Sequence, residues 1–297
     1  VGLCSMTIAL SGNETQKEKY LPKLASGEFL GAYSLSEAGS GTDAAAMVAK
    51  ATDDGDCYTL NGEKMWVTNG TTADLFVLFA KVTEHPDYGK KSHGGVTCFI
   101  IEKGFEGLEI GKKEDKLGIR SSDTCTLILN NCKVPKENVL GEVGKGFPIA
   151  MNALDNSRIG IAAQGLGIAQ GAYETALKYS KERETFGKPI FEHQSISFML
   201  ADMSTKIEAA RLLTYQAAAA IDNGDEVTLK AAHAKRFAAD IGMEVTTDAV
   251  QIFGGYGYSE EYPAARRMRG AKIYQIFGGS SQIQRMIISR EIQSRLS

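Results

Sequence analysis

Four long stretches in the second half of the chain have the apolar spacing of amphipathic helices, and they constrain the fold more than any other feature. They cover residues 151–181, 194–221, 227–253 and 282–296. Three of them are longer than an average globular helix, and glycine-containing breaks separate them. Long helices joined by breaks of this kind predict an antiparallel four-helix bundle over residues 146–297.

The preceding part of the chain has a different texture, with short apolar runs typical of strands. Strands are predicted at residues 31–36, 75–82, 96–101 and 124–129, and a hairpin is predicted around Asn61-Gly62 because Asn-Gly favours a type I′ turn. Residues 29–145 are therefore expected to form a β-sandwich or barrel domain. Residues 1–28 contain two helical pieces, interpreted as the remnant of an N-terminal helical domain. The fold class is thus α+β and multidomain.

Composition excludes several functions. The net charge of -3 is unfavourable for a nucleic-acid partner, and no apolar run has the length of a membrane span. The five cysteines are odd in number and form no CxxC pair, so a reducing compartment and no metal site are predicted. The first residue is valine rather than methionine, which suggests a fragment or a processed start.

Four local patterns could carry chemistry, and each has a plainer structural interpretation. The loop 37–43, rich in Gly and Ser, could bind a phosphate or form an ordinary turn. Trp66, two residues before Thr68, could stack on a flat cofactor or fill the core. Asp155 and Arg158 could bind a ligand or pair with each other on one helix face. The segment 183–189 could hold a diphosphate or end a helix with favourable cations.

The combination and order of these segments resemble the acyl-CoA dehydrogenase family, with short-chain (butyryl) and medium-chain members as the nearest types. The resemblance is carried by residues 33–43 (YSLSEAGSGTD), 64–70 (KMWVTNG), 112–120 (KKEDKLGIR), 134–141 (VPKENVLG), 154–164 (LDNSRIGIAAQ), 183–194 (RETFGKPIFEHQ), 251–258 (QIFGGYGY) and 271–285. It spans nearly the whole chain. It implies an N-terminal helical domain, a middle β domain and a C-terminal four-helix domain.

The resemblance also implies FAD as the cofactor and assigns binding residues by motif. The implied FAD contacts are Tyr33, Leu35, Ser36, Gly41, Thr42, Trp66, Thr68, Arg183, Thr185, His193, Gln194, Gln251, Gly254, Gly255, Ser280 and Gln282, with residues 251–255 reaching the FAD of the other subunit in a dimer. The implied contacts to the acyl-CoA substrate are Thr42, Asp155, Arg158, Tyr258 and Gly279.

The implied reaction is α,β-dehydrogenation of a short- or medium-chain acyl-CoA to the trans-2-enoyl-CoA, as in fatty acid β-oxidation. A carboxylate removes the α-proton, the β-hydrogen leaves as hydride to the flavin, and electrons pass to electron-transferring flavoprotein. A backbone N–H and a ribityl hydroxyl of FAD polarise the thioester carbonyl. The family also implies a homotetramer built as a dimer of dimers, in a bacterial cytoplasm or a mitochondrial matrix.

The sequence departs from the family pattern where the catalytic base belongs. The usual glutamate of an IYEGT-like motif is replaced by Gly278, and an alternative placement before Arg158 holds Ser157. Gly270 replaces a usual aspartate as well. Gly278 retains its backbone N–H, but a positioned base typically contributes about 10²–10⁴ in rate.

Three explanations of this gap are open. The chain is a dehydrogenase with one substituted residue, engineered or from a sequence error. Alternatively it is a natural paralogue with another base, for which Asp155 and Glu260 are the candidates. In the third explanation it is a catalytically silent protein that binds FAD and acyl-CoA, or an assembly partner.

Overall fold

The computed structural model describes residues 1–295 and divides into two compact units. The β unit comprises Val1–Asp115 and Arg120–Leu154, and the helical unit comprises Lys116–Ile119 and Asp155–Ser297. The β unit begins with two helices, α1 (Gly2–Ser11) and α2 (Glu14–Ser26). Asn13 caps α2 by accepting from the Gln16 N–H at 2.9 Å, and Gly27 ends the helix at φ +79°.

One mixed sheet forms the centre of the β unit. Its strands are β1 (Gly31–Ser34), β2 (Lys50–Asp53), β3 (Cys57–Thr68), β4 (Leu75–Val82), β5 (Val96–Glu102), β6 (Leu108–Lys113), β7 (Thr124–Pro135) and β8 (Val139–Leu140). The strand order is β6-β7-β3-β2-β4-β5-β8, and β1 pairs in parallel with β4. The strands β4 and β5 are buried along nearly their full length, and each has apolar side chains on both faces.

The predicted hairpin at Asn61-Gly62 is wrong, because β3 runs unbroken through these two residues. Gly62 has φ +139°, and a Cβ added there would lie 2.9 Å from Ala49 Cα. The glycine therefore permits close packing at an irregularity between β3 and β7 instead of turning the chain. The turn that connects β2 to β3 lies earlier, at Gly55 with φ +90°.

The helical unit confirms the predicted four-helix bundle. Its elements are α3 (Gly146–Glu182, which enters this unit at Asp155), β9 (Glu184–Thr185), β10 (Lys188–Pro189), α4 (Gln194–Asp222), α5 (Thr228–Phe253), α6 (Pro263–Ala271) and α7 (Ser281–Ser294). The last predicted helix was expected to reach Leu296, which lies outside the described residues. Small residues line the bundle core: Ala162, Ala169, Ala210, Ala217, Ala234 and Ala238 are all fully buried.

The predicted architecture of a middle β domain followed by a C-terminal helical domain is therefore confirmed. Within residues 1–295, no helix is long and apolar enough to cross a membrane. The same part of the chain holds no group of three or more His, Cys, Asp or Glu residues arranged to bind a metal ion.

Candidate functional site

A buried ion pair between Glu37 and Lys64 supports the loop that follows β1. Lys64 Nζ lies 2.7 Å from Glu37 Oε1 and also donates to Leu35 O at 3.1 Å. The Glu37 carboxylate accepts from the Val48 and Ala49 N–H groups at 2.6 and 3.1 Å. Burial lowers the pKa of Lys64, and the adjacent Glu37 opposes that effect. Glu37 thus has a structural role, and its contacts fix the point at which the loop 37–43 leaves the sheet.

The outer part of that loop is open. Glu37 and Ser40 exchange backbone hydrogen bonds of 3.0 and 3.1 Å, which closes a tight turn. A Cβ added at Gly41 would meet no atom within 4 Å, and Thr42 is exposed. Gly41 and Thr42 are therefore accessible to a ligand, whereas the Ser40 hydroxyl already donates to Asp43 O at 2.8 Å.

Trp66 is not a core residue, so the plainer interpretation of this tryptophan is wrong. It sits at φ +61° where the β3–β7 register shifts between Lys64 and Val67, which indicates a bulge. The bulge leaves the indole 57% exposed, and Thr68, at the end of the strand, is exposed as well. A positive φ is unusual for a bulky residue and marks a position where the fold overrides local preference.

The remaining β-unit residues of the implied FAD set are more buried. The Tyr33 ring packs 5.3 Å from the Phe79 ring, and burial raises the pKa of the Tyr33 phenol well above its usual value. Its hydroxyl is buried and has no hydrogen-bond partner among residues 1–295. Leu35 is buried, and Ser36 O accepts from the Met65 N–H at 2.8 Å. Leu35 and Ser36 thus tie the loop to β3 through their backbones.

In the helical unit, the structure brings together four residues of the implied FAD set. Arg183, Thr185, Gly254 and Gly255 line one cavity of about 550 Å³. The cavity is also lined by Tyr256, whose ring lies 5.8 Å from the Arg183 guanidinium. Such a set supplies a cation, a hydroxyl, an aromatic face and open backbone, which suits a phosphate and its adjoining ribose.

His193 and Phe186 extend this group of side chains. His193 Nε2 lies 3.0 Å from Thr185 Oγ1, while Gln194 and Gln251 are exposed. Phe186, which sequence reasoning missed, is 97% exposed at φ +52° and its ring stands 6.0 Å from that of His193. An aromatic residue between a hydroxyl and a glycine in the 183–189 turn was the available signal.

A second cavity in the helical unit, of about 910 Å³, is lined by Ser280 and Gln282 of the implied FAD set. Asp240, also missed from the sequence, organises its wall. The Asp240 carboxylate accepts from Gln275 Nε2 at 2.9 Å, from Ser281 Oγ at 2.8 Å and from Arg285 at 3.0 Å. The Asp240 carboxylate therefore links α5 to the segment before α7 and to α7 itself.

The two carboxylates considered as substitute bases are both engaged. Asp155 forms an ion pair with Arg158, which is only 4% exposed, and accepts from Thr228 Oγ1 at 3.5 Å. Burial lowers the pKa of the Arg158 guanidinium. Glu260 Oε1 lies 2.8 Å from Arg269 Nη1, and the Glu260 side chain is largely exposed. Tyr258, implied at the substrate, is 85% exposed in this chain.

The Gly278-Gly279 turn stands in the left-handed region, with φ +64° and +88°. The Gly279 carbonyl oxygen accepts two hydrogen bonds, from Lys235 Nζ at 2.5 Å and from Gln284 Nε2 at 3.0 Å. Lys235 and Gln284 are fully buried. Neither was expected from the sequence, where Lys235 lies 44 positions before the carbonyl it contacts.

Lys235 predicts a pH dependence of stability. Burial, with repulsion from Arg158 adding to it, lowers the pKa of Lys235 from 10.5 to about 8. Between these two values the unfolded chain binds more protons than the folded chain, so the free energy of unfolding rises with pH by up to roughly 3 kcal/mol. Below about pH 8 both states are protonated and the contribution is constant.

The difference in unfolding free energy between the unmodified protein and Lys235→Met isolates this contribution. We expect the difference to shift in favour of the unmodified protein from pH 7 to pH 10, measured by denaturant titration. Lys178→Met, at an exposed position, serves as the control and should show no such trend. A difference that stays constant with pH would contradict the lowered pKa.

Comparison with known proteins gives one consistent family. The family domains described as "Acyl-CoA dehydrogenase, C-terminal domain", "middle domain" and "N-terminal domain" match residues 144–293, 32–132 and 1–28. The short-chain specific acyl-CoA dehydrogenase of Megasphaera elsdenii is 54% identical over 97% of this chain and 74% of its own length. The corresponding protein of Clostridium acetobutylicum is 50% identical over 98% of this chain and 75% of its own length.

Solved structures agree with the sequence relatives. Butyryl-CoA dehydrogenase from Megasphaera elsdenii superposes with a TM-score of 0.95 at 52% identity, covering 99% of this chain and 76% of that one. A chain from a structure of the electron transferring flavoprotein of Acidaminococcus fermentans, concerned with flavin-based electron bifurcation, also gives 0.95 at 52% identity. The match covers 98% of this chain and 76% of that one.

Proposed function

Since the chain belongs to the acyl-CoA dehydrogenase family, we propose that it binds FAD and a short- or medium-chain acyl-CoA thioester for α,β-dehydrogenation. Members of this family are FAD-dependent and act in fatty acid β-oxidation. We further propose that turnover is slow in this chain. The observation that carries this second step is the αL glycine at position 278, which supplies no proton acceptor.

The residues present fit FAD. In the β unit, the exposed indole of Trp66 and the open Gly41-Thr42 segment suit a flat ring system and its polar edge. In the helical unit, the cavity around Arg183, Thr185 and Gly254 suits an anionic diphosphate. When bound, FAD would supply the acceptor for the β-hydrogen of the substrate. The chain's own task is to orient the thioester and to remove the α-proton.

None of the candidate positions provides an unpaired carboxylate to remove the α-proton. Gly278 has none, Ser157 is no carboxylate, and Asp155 and Glu260 are each paired with an arginine. Carbonyl polarisation is retained in this proposal, because the Gly278 N–H has no backbone acceptor among residues 1–295. We therefore infer a site that still activates the α-C–H bond but holds no base to take its proton.

FAD binding is the experiment that tests the first half of the proposal. The purified protein is expected to be yellow, or to become so on reconstitution with FAD. Trp66→Ala should weaken FAD binding about tenfold, since an aromatic contact contributes about 0.5–1.5 kcal/mol beyond burial. Trp66→Phe, the matched control, should retain most of the affinity in a fluorescence titration. A protein that stays colourless with excess FAD would contradict the proposal.

Partners and location follow from the relatives. We propose electron-transferring flavoprotein as the electron acceptor, supported by the similarity to a chain in the Acidaminococcus fermentans structure. A homotetramer is proposed on family grounds. The named relatives are bacterial, which supports the cytoplasmic alternative, while the mitochondrial matrix has no support among them.

A catalytically silent protein that binds FAD and acyl-CoA is the second candidate function, favoured by the same missing base. The two candidates differ in one measurable property. A slow dehydrogenase loses flavin absorbance when an acyl-CoA is added without oxygen, whereas a silent protein changes only the shape of its flavin spectrum.

A further inference from the structure

We propose that Lys235 is a positioning residue, which anchors the Gly278-Gly279 turn from the interior of the helical unit so that the Gly278 N–H points at the thioester carbonyl of the substrate. The contact between the Gly278 N–H and that carbonyl rests on the proposed function. The anchoring of the turn rests on contacts within the helical unit, and it is tested by itself below.

Two successive glycines in the left-handed region need an anchor outside the turn. Gly278 and Gly279 stand at φ +64° and +88°, a conformation that glycine adopts at no steric cost but leaves easily. The chain is fixed before the turn, where the Ile276 and Phe277 N–H groups donate to Ile273 O at 2.9 and 3.0 Å. The Gly278 N–H has no backbone acceptor among residues 1–295. Its direction therefore depends on how the chain is held on the other side of the turn.

Gly279 O provides the attachment on that side. It accepts from Lys235 Nζ of α5 at 2.5 Å and from Gln284 Nε2 of α7 at 3.0 Å. Both donor side chains are fully buried, so water does not compete for the carbonyl. Ser280 then caps α7, because its hydroxyl accepts from the Ile283 N–H at 3.3 Å. The chain is thus attached to two helices directly after the glycines.

The cost of burying Lys235 indicates that this attachment does more than fill space. Burial and repulsion from Arg158 both disfavour the ammonium form, and the pKa of Lys235 falls to about 8. Its acceptor is an uncharged carbonyl, which replaces only part of the hydration that the ammonium loses. A methionine at this position would fill nearly the same volume without that cost. It would not supply the charge-assisted hydrogen bond that holds the turn.

Hydrogen exchange of the full chain tests the anchor without FAD or substrate. Lys235→Met should speed amide exchange in peptides covering residues 276–280 by at least about tenfold, because a hydrogen bond from a charged group is lost. Thr246→Val is the matched control, since Thr246 is another fully buried donor on α5 but bonds to Gly242 O within its own helix. It should leave exchange at the turn unchanged. An unchanged rate in Lys235→Met, or an equal acceleration by Thr246→Val, would overturn the proposal.

Gln284→Leu removes the other donor to Gly279 O and keeps Lys235 in place. It should speed exchange in the same peptides by a smaller factor, because an uncharged hydrogen bond contributes less than a charged one. This variant decides the question if Lys235→Met does not fold, and unchanged exchange at the turn would then overturn the proposal.

The direction of the Gly278 N–H is measured with two ligands of the FAD-loaded protein. Butyryl-CoA carries the thioester carbonyl, whereas S-butyl-CoA is a thioether without it, so the ratio of their Kd values isolates the carbonyl contact. We expect the unmodified protein and Thr246→Val to prefer the thioester by about tenfold, and Lys235→Met to lose most of that preference. The same ratio in Lys235→Met as in the unmodified protein would overturn the inference. If no variant binds FAD, the proposed function fails, while the exchange experiment still decides the anchor.

Discussion

Replacing Lys64 with methionine is expected to destabilise the β unit by about 3–5 kcal/mol, the loss typical when one partner of a buried ion pair is removed. The two side chains are 0% and 4% exposed, so the Glu37 carboxylate would be left charged and without its cation. Its two backbone donors, Val48 and Ala49, cannot compensate for the missing charge. Denaturant unfolding followed by circular dichroism measures the effect.

Two further variants serve as controls for the Lys64→Met result. Lys64→Met/Glu37→Gln removes both charges and should recover part of the lost stability, since a neutral amide still accepts from the backbone. Lys91→Met breaks an exposed pair with Asp87 and should have little effect on stability, because solvent screens such a pair. A Lys64→Met protein as stable as Lys91→Met would contradict the structural role of the buried pair.

Gly278→Glu is expected to raise the rate of α-proton removal by about 10²–10⁴ over the unmodified protein, the usual contribution of a positioned base. The gain requires that the unmodified site already orients the thioester and polarises its carbonyl. Stopped-flow reduction of the FAD-loaded protein by butyryl-CoA, in the absence of oxygen, measures the rate.

Gly278→Gln is the control for this gain. Glutamine has nearly the shape of glutamate but accepts no proton, so the rate should stay near that of the unmodified protein. Comparable acceleration by both side chains would mean that shape, rather than proton transfer, limits the reaction.

Much of the fold was predictable from local signals. Helical periodicity identified the four long helices of the second half of the chain. The hairpin prediction at Asn61-Gly62 failed because the same dipeptide serves close packing inside a strand, where tertiary contacts override turn preference. Trp66 was ambiguous for a similar reason, since a bulge sets its exposure and periodicity does not reveal bulges.

The motifs predict which residues form the site, but they do not predict the contacts that support those residues. The resemblance assigned Arg183 and Thr185 to FAD, and Gly254 to the FAD of the other subunit in a dimer. In the structure these three residues line one cavity. By contrast, Lys235 donates to Gly279 O across 44 positions of the chain, and Asp240 accepts from Ser281 Oγ across 41 positions. Each looks like an ordinary helix residue in the sequence. Only the packing of the helices gives them a connection to the turn.

The missing base at Gly278 is tested most directly by adding butyryl-CoA to the unmodified, FAD-loaded protein without oxygen and following the flavin absorbance. We predict that the spectrum shifts on binding while the absorbance bleaches slowly or not at all, because the site holds no proton acceptor. Rapid and complete bleaching would contradict the account. It would mean that another group in this chain removes the α-proton.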